Sequence, residues 1–482
     1  MRTCRTRAGR AVLAGCFWVV LAGFSTPGRA SDAPAPADAP PSALTPQQLA
    51  EERELIRLLA DTLEQVRANY VDSQVTEREL VEAAIQGMMS KLDPYSDYIA
   101  PTELDQFRKG VEREFVGIGI QVAERDGQIQ IVSPLFDTPA WRAGLRAGDR
   151  ILTIAETSTR GLSIDDAIKL MSGEPGTEVT ISVLHRADTE PQTVTLKREL
   201  IQQPTVLGYR RSADGVWDYF CDADDKIGYV RLAAFSRVTA DDLARVLREL
   251  LAHGMQGLVL DLRFNPGGML NQAIEVSDLF LHEGRIVSVV GRAHNPPPWD
   301  ARAEGTLTPP GFPLAVLVNR FSASAAEIVS ACLQDHKMAV IVGERTWGKG
   351  SVQNIIDLDH GKSALKLTTA GYQRPSGKNI HRTPTATESD EWGVTPDDGY
   401  AIAYSDRDLL QLGVRFNQLD ALADPASPDD EVADDAADEA AETLAAEFVD
   451  RQLDKALEYL RSRIHPVAAQ TPGDTPAEPS GT

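Results

Sequence analysis

The sequence predicts a multidomain α/β protein with an N-terminal helical element, a small β-rich unit, an α/β core and a C-terminal amphipathic helix. Three observations carry this reading. Between residues 205 and 400, apolar runs such as GLVLDLR (257–263), PLAVLVN (313–319) and AVIVGE (339–344) alternate with helical patterns, as in an α/β core. Between residues 112 and 200, short alternating runs are punctuated by glycines, as in a compact β unit. Residues 47–91 and 442–465 place apolar residues at three- and four-residue intervals, the spacing of amphipathic helices.

In chain order, residues 1–30 read as a signal peptide. Arg2, Arg5, Arg7 and Arg10 precede the apolar run AVLAGCFWVVLAGF (11–24), and Gly28-Arg29-Ala30 offers a small-x-small cleavage site. The apolar run is short for a membrane span. Leu13-Ala-Gly-Cys16 resembles a lipobox, but most of the apolar sequence follows Cys16 rather than preceding it. The expected destination is periplasmic or extracellular, with membrane association if the signal is retained. Residues 31–46, rich in Ala, Pro and Asp, read as a disordered leader.

The N-terminal helical region spans 47–111. Leu55, Leu58, Leu59, Leu63 and Val66, then Leu80, Ala84, Ile85 and Met88, form stripes expected to be buried. LDPYSDYI (92–99) ends the helices at Pro94. The β-rich unit occupies 112–200, with Gly117 and Gly119 inside its first apolar run. The core occupies 201–419. An acidic linker without Lys or Arg follows at 420–441, then the amphipathic segment 442–465, and a tail at 466–482 expected to be disordered. The apolar stripe of 442–465 fits either docking on its own chain or a homo-oligomer contact.

Of the four cysteines, only Cys221 and Cys332 lie outside the signal peptide, too few for a disulfide framework. No CxxC or HExxH pattern suggests a metal, and no cofactor is expected. A net charge of -23 argues against nucleic acid or anionic membrane as a partner.

The stretch Asn319–Gln353 concentrates the chemistry. It runs from a buried strand into a helix opening at Ser324, through a second strand, to Gly348-Lys349-Gly350. Alone, Ser324-Ala-Ala-Glu327 reads as a capping box and Lys349 as a solvated surface lysine. Together they supply a hydroxyl nucleophile and a candidate base, because burial lowers a lysine's pKa. The Ala325 amide at the helix start would face a developing oxyanion.

Here a resemblance becomes specific. Ser322-Ala-Ser-Ala-Ala-Glu327 and Gly348-Lys-Gly-Ser-Val-Gln353 resemble the active-site motifs of the carboxy-terminal processing (tail-specific) proteases, serine peptidases with a Ser–Lys dyad and an embedded PDZ domain. LDPYSDY (92–98), DLRFNPGG (261–268) and GVTPD (393–397) match further motifs of that family, and the likeness covers about residues 50–400. It implies an inserted PDZ domain at 112–200 and a crotonase-like α/β protease core. It also implies Ser324 as nucleophile, Lys349 as general base and Gln353 as the residue orienting Lys349. Gly268 and Ala325 would form the oxyanion hole. In the PDZ unit, Gly117, Ile118 and Gly119 would bind a substrate's terminal carboxylate while the peptide adds as a strand. The expected partners are protein substrates with non-polar C-termini, with room for an adaptor or regulator. Phe321 is bulkier than the small or polar residue expected at that motif position.

Two rivals remain at this point. A Ser–His–Asp protease would need a triad context that none of the eight histidines shows, although His336 lies near the key stretch. A non-proteolytic ligand- or peptide-binding protein on the same scaffold would need a broken dyad, whereas Ser324, Lys349 and Gln353 are all present.

Overall fold

The computed structural model describes residues 45–420 and 448–466, apart from 73, 113, 126, 186–187, 213–214 and 293–296. The expected signal peptide, nearly all of the leader, the acidic linker beyond Asp420 and the tail beyond His465-Pro466 lie outside the described residues. Among the described residues no helix is long and apolar enough to cross a membrane.

The core is built on one sheet. Val206–Leu207, Ile227–Leu232, Gly257–Asp261, Leu314–Val318 and Val340–Gly343 lie in that spatial order. The last four run parallel. Successive residues of a strand face opposite sides. Leu258, Leu260, Leu314, Val316 and Ile341 therefore pack under the helices Thr239–Ala252, Leu270–Asp278 and Ala325–Asp335. Val259, Ala315, Leu317, Val340 and Val342 face the other way, onto Leu453, Ala456 and Leu460 of the C-terminal helix Arg451–Ile464. Both faces are covered, which is why these strands read as continuous apolar runs.

The C-terminal helix thus spends its apolar stripe on its own chain. Its N-cap, Asp450, also closes a buried ion pair. Arg263, with no exposed side-chain surface, donates to Asp450 at 2.7 and 2.9 Å and to Asp261 at 2.6 and 3.0 Å. Tyr229 and Tyr404 hydroxyls donate to the same carboxylates. Arg263 directly precedes the Phe264–Gly268 turn, so the helix is clamped to the base of that turn.

A second, antiparallel sheet carries Asp97–Ile99, Ser363–Gln373, Arg285–Gly291 and Trp299–Asp300, with Ser351–Leu358 paired to Ser363–Gln373. The expected PDZ unit forms its own sheet, in the order Ile120–Arg125, Gln128–Pro134, Arg150–Ile154, Glu178–Leu184, Gln192–Lys197. Its core of Ile129, Ile131, Ile151, Ile154, Ile181 and Val183 is closed by Ala167 and Met171 of the helix Ile164–Met171.

One sequence expectation fails. The helix Pro46–Asn69, opened by a Thr45–Gln48 capping box, buries none of its residues, and Leu55, Leu58 and Leu59 are exposed. The following helix, Glu77–Leu92, buries only Met89. Periodicity creates an apolar face but does not supply a full cover for it: of the two stripes, Leu63, Val66, Leu80, Ala84 and Ile85 are only half-buried.

Candidate active site

The strand Leu314–Val318 ends in a tight loop, and Ser324 follows with φ 59° and ψ −111°. That conformation is uncommon for a residue with a Cβ and costs on the order of 1–3 kcal/mol. It is held from several sides. Asn319 Oδ1 accepts from the amides of Phe264 at 3.0 Å and Phe321 at 3.1 Å. Ser322 Oγ donates to the Leu262 carbonyl. Phe264, itself at φ 58°, stacks on Phe321 at 5.5 Å. The bulk at position 321 thus pairs with Phe264, and its outer surface remains exposed.

Glu327 is the residue sequence reasoning underestimated. Only half of the capping box forms: Ser324 N–H donates to Glu327 Oε2 at 2.8 Å, while Ser324 Oγ has no hydrogen-bond partner. The remaining capacity of the fully buried Glu327 carboxylate goes to the other motif. It accepts from Thr346 Oγ1 at 2.5 Å, Gly348 N–H at 2.6 Å and Lys349 N–H at 2.8 Å. Ser324 N and Lys349 N share one oxygen at 2.8 Å each, so they lie within twice that distance of each other. Burial pushes the Glu327 carboxyl up, against these four hydrogen bonds. The Ser-x-x-Glu spacing and the place of Glu327 in the Ser322–Glu327 motif were the signals available in the sequence.

Lys349 is almost fully buried. Its pKa is lowered to about 8, chiefly by desolvation, then by the like charge of Lys366, with Glu327 opposing. Its ammonium stands 5.1 Å from the centre of the Tyr95 ring. Glycine is required on both sides. A Cβ on Gly348 would meet Arg382 at 2.7 Å and Trp392 at 3.0 Å, and one on Gly350 would meet the His381 backbone at 2.4 Å. The 382–392 segment is therefore packed against the lysine loop. Arg345 pins it by donating to the carbonyls of Glu388 and Asp390 and by lying over Trp392.

Gln353 is fully buried. Its Nε2 donates to Ser351 Oγ at 2.9 Å and Thr368 Oγ1 at 3.1 Å, and its Oε1 has no partner. The expected Gln353–Lys349 hydrogen bond is therefore not made in this arrangement, and Ser324 Oγ is not bonded to Lys349 either. The structure brings the Ser324 and Lys349 segments together in a resting geometry with the hydroxyl closed off from solvent.

The Phe264–Gly268 turn lies directly against Ser324. A Cβ on Gly267 would stand 2.7 Å from Ser324 Cβ and 3.0 Å from Ala325 N. Gly267 N–H is used by Asn265 Oδ1 at 2.8 Å. Gly268, at φ +148°, is wedged 2.1 Å short of the Phe235 carbonyl at its Cβ position. The Ala325 amide, at the first position of the helix, lies beside this turn. Among the described residues no histidine hydrogen-bonds Ser324 Oγ, and His336 Nε2 is engaged by the Arg285 carbonyl. No group of metal-ligating side chains occurs there either. Cys221 and Cys332 are both free thiols.

The family model described as peptidase family S41 matches residues 226–398, one for a PDZ domain matches 131–184, and one for the N-terminal domain of the activating protease CtpB matches 32–102. A carboxy-terminal-processing protease of Bartonella bacilliformis is 39% identical over 342 residues, which cover 70% of this chain and 73% of the relative. The chain belongs to peptidase family S41. This S41 peptidase is a serine-type, PDZ-containing protease of the carboxy-terminal processing kind. The carboxy-terminal processing protease CtpA of Bacillus subtilis is 36% identical over 321 residues, covering 66% of this chain and 65% of that one. Among solved structures, the PDZ domain of a Vibrio cholerae carboxy-terminal protease in complex with peptide is 29% identical, covering 19% of this chain and 99% of that domain, with a TM-score of 0.18.

In the PDZ domain of this S41 peptidase, Gly117, Ile118 and Gly119 lead into the end strand Ile120–Arg125, beside the helix Ile164–Met171. The Ile118 side chain is buried in the domain core, which leaves only its backbone to meet a ligand. Gly119, at φ +80°, could not carry a Cβ, which would fall 2.3 Å from Thr138. Ile168 on the facing helix is exposed.

Proposed function

We propose that this S41 peptidase cleaves with Ser324 as nucleophile and Lys349 as general base, on substrates whose non-polar C-termini dock in the PDZ groove. The observation that carries the reading is the single buried carboxylate of Glu327, which ties the backbone of Ser324 to that of Lys349. Neutral Lys349 takes the hydroxyl proton as Ser324 Oγ attacks the scissile carbonyl. The Gly268 and Ala325 amides hold the oxyanion, and the protonated lysine then gives its proton to the leaving amine. Water repeats the sequence on the acyl-enzyme. Gln353 Oε1, buried and unpaired, is suited to accept one amine hydrogen and aim the lysine's lone pair at Ser324. In the PDZ groove, backbone amides at 117–119 capture the terminal carboxylate, and the tail extends the sheet at Ile120–Arg125. The composition of residues 1–30 supports export by a cleaved signal peptide.

Ser324→Ala and Lys349→Ala should each abolish turnover of a quenched fluorescent peptide ending in two aliphatic residues, with peptide binding retained. Full activity in Lys349→Ala would overturn the dyad. Amidating the peptide's C-terminus should weaken cleavage through KM; equal rates would remove carboxylate capture.

A further inference from the structure

The turn Asp93–Ser96 belongs to the N-terminal region, yet it reaches the catalytic centre. Asp93 Oδ1 accepts from the amides of Tyr95 at 2.8 Å and Ser96 at 2.9 Å, and Oδ2 accepts from Ser96 Oγ at 2.7 Å. Its remaining partner is Thr368 Oγ1 at 3.2 Å, on the strand Ser363–Gln373. A register shift between Val352 and Gln353 sets Thr368 opposite Gln353. Ser96 Oγ accepts from Thr368 N–H at 3.1 Å, which locks the turn to the strand. Tyr95, in the middle of the turn, presents its ring to the Lys349 ammonium.

The directions of these bonds follow from chemistry. An ionised carboxylate only accepts. Burial pushes the Asp93 carboxyl up, but hydrogen bonds from Ser96, Tyr95 and Thr368 outweigh it and hold the pKa below its ordinary value. Thr368 must therefore donate its one hydroxyl proton to Asp93. Its oxygen then serves Gln353 as an acceptor, so Gln353 must turn Nε2 toward it. The amide's other end, Oε1, is left buried and unpaired.

We propose that Asp93 and Thr368 are positioning residues of the protease: by a one-way hydrogen-bond relay they fix the Gln353 amide with its carbonyl oxygen toward Lys349. Reversed, the amide would offer N–H to the lysine's lone pair and compete with Ser324 for it. This rests on the Ser324–Lys349–Gln353 reading above. It also gives the N-terminal region a chemical role, since the relay begins in that region's LDPYSDY stretch.

Thr368→Val removes both hydroxyl functions while keeping the shape and the strand preference of the side chain. With the fluorescent peptide, kcat should fall on the order of tenfold or more while KM holds within about twofold. The acid limb of the kcat–pH profile should move to lower pH, because in the catalytic arrangement the lysine loses the Gln353 acceptor that favours its charged form. Thr368→Ser should restore both values. Lost folding would lower kcat equally at every pH and leave the limb in place, which would overturn the proposal. So would wild-type kcat in Thr368→Val. Lys349→Ala, run alongside, separates the two levels: its activity would remove the dyad itself, whereas an inactive Lys349→Ala beside an unaffected Thr368→Val removes only the relay.

Discussion

In the proposed mechanism Lys349 carries the sharpest demand, because it must be neutral to accept a proton. With a pKa of about 8, roughly one molecule in ten holds a neutral amine at pH 7. At the ordinary value of 10.5 the fraction would be about one in three thousand. Burial and Lys366 therefore raise the competent fraction roughly 300-fold. The Glu327 charge and the Tyr95 ring both act in the opposite direction. The expected kcat–pH profile climbs about tenfold between pH 7 and 9 and then levels. Lys366→Gln removes a like charge, so Lys349 should hold its proton more tightly. The limb then moves to higher pH, with activity reduced at pH 7 and regained near the plateau. The assay is kcat at saturating fluorescent peptide across this range, with Lys349→Ala as the blank. A limb at or below about pH 6.5 that Lys366→Gln leaves in place would refute the reasoning and point to a histidine base.

Three further predictions follow from the packing. Glu327→Gln replaces an all-acceptor carboxylate with an amide whose NH2 opposes backbone donors. It should cost about 2–4 kcal/mol in urea unfolding and lower kcat roughly a hundredfold, and near-native kinetics would exclude the organising role given to Glu327. Gly268→Ala drives a Cβ into the Phe235 carbonyl and displaces the turn proposed to hold the oxyanion. A loss of about 10²–10³ in kcat with unchanged peptide affinity is expected in steady-state kinetics and binding titrations. Asp450→Ala leaves the buried Arg263 guanidinium with Asp261 as its only carboxylate among the described residues. It should destabilise the core by about 3–5 kcal/mol and expose the C-terminal helix to limited proteolysis, whereas an unchanged melting curve would show that the helix is held by its apolar stripe alone.

Sequence patterning and local chemistry reach a definable distance into this protein. The continuous apolar runs at 257–263 and 313–319 announce strands covered on both faces, since a half-exposed strand would alternate. Ser324 and Lys349 are legible as a pair because each sits in a short string with its own spacing. The stripe of Leu55, Leu58 and Leu59 marks where such reading stops: period establishes an apolar face, and only the packed chain shows that this face stays exposed.

What the sequence by itself determined is the order of elements, the candidate reactive groups and the family. Tertiary structure alone decided their states. Burial of Lys349 near Lys366 sets its proton affinity, Glu327 keeps its bond to the Ser324 amide while also holding the lysine loop, and Arg263 meets Asp450 across 187 positions of chain. The physical reason is that desolvation and hydrogen-bond direction depend on what lies within a few ångströms. Asp93 and Thr368 become neighbours over 275 positions only after the sheets have closed.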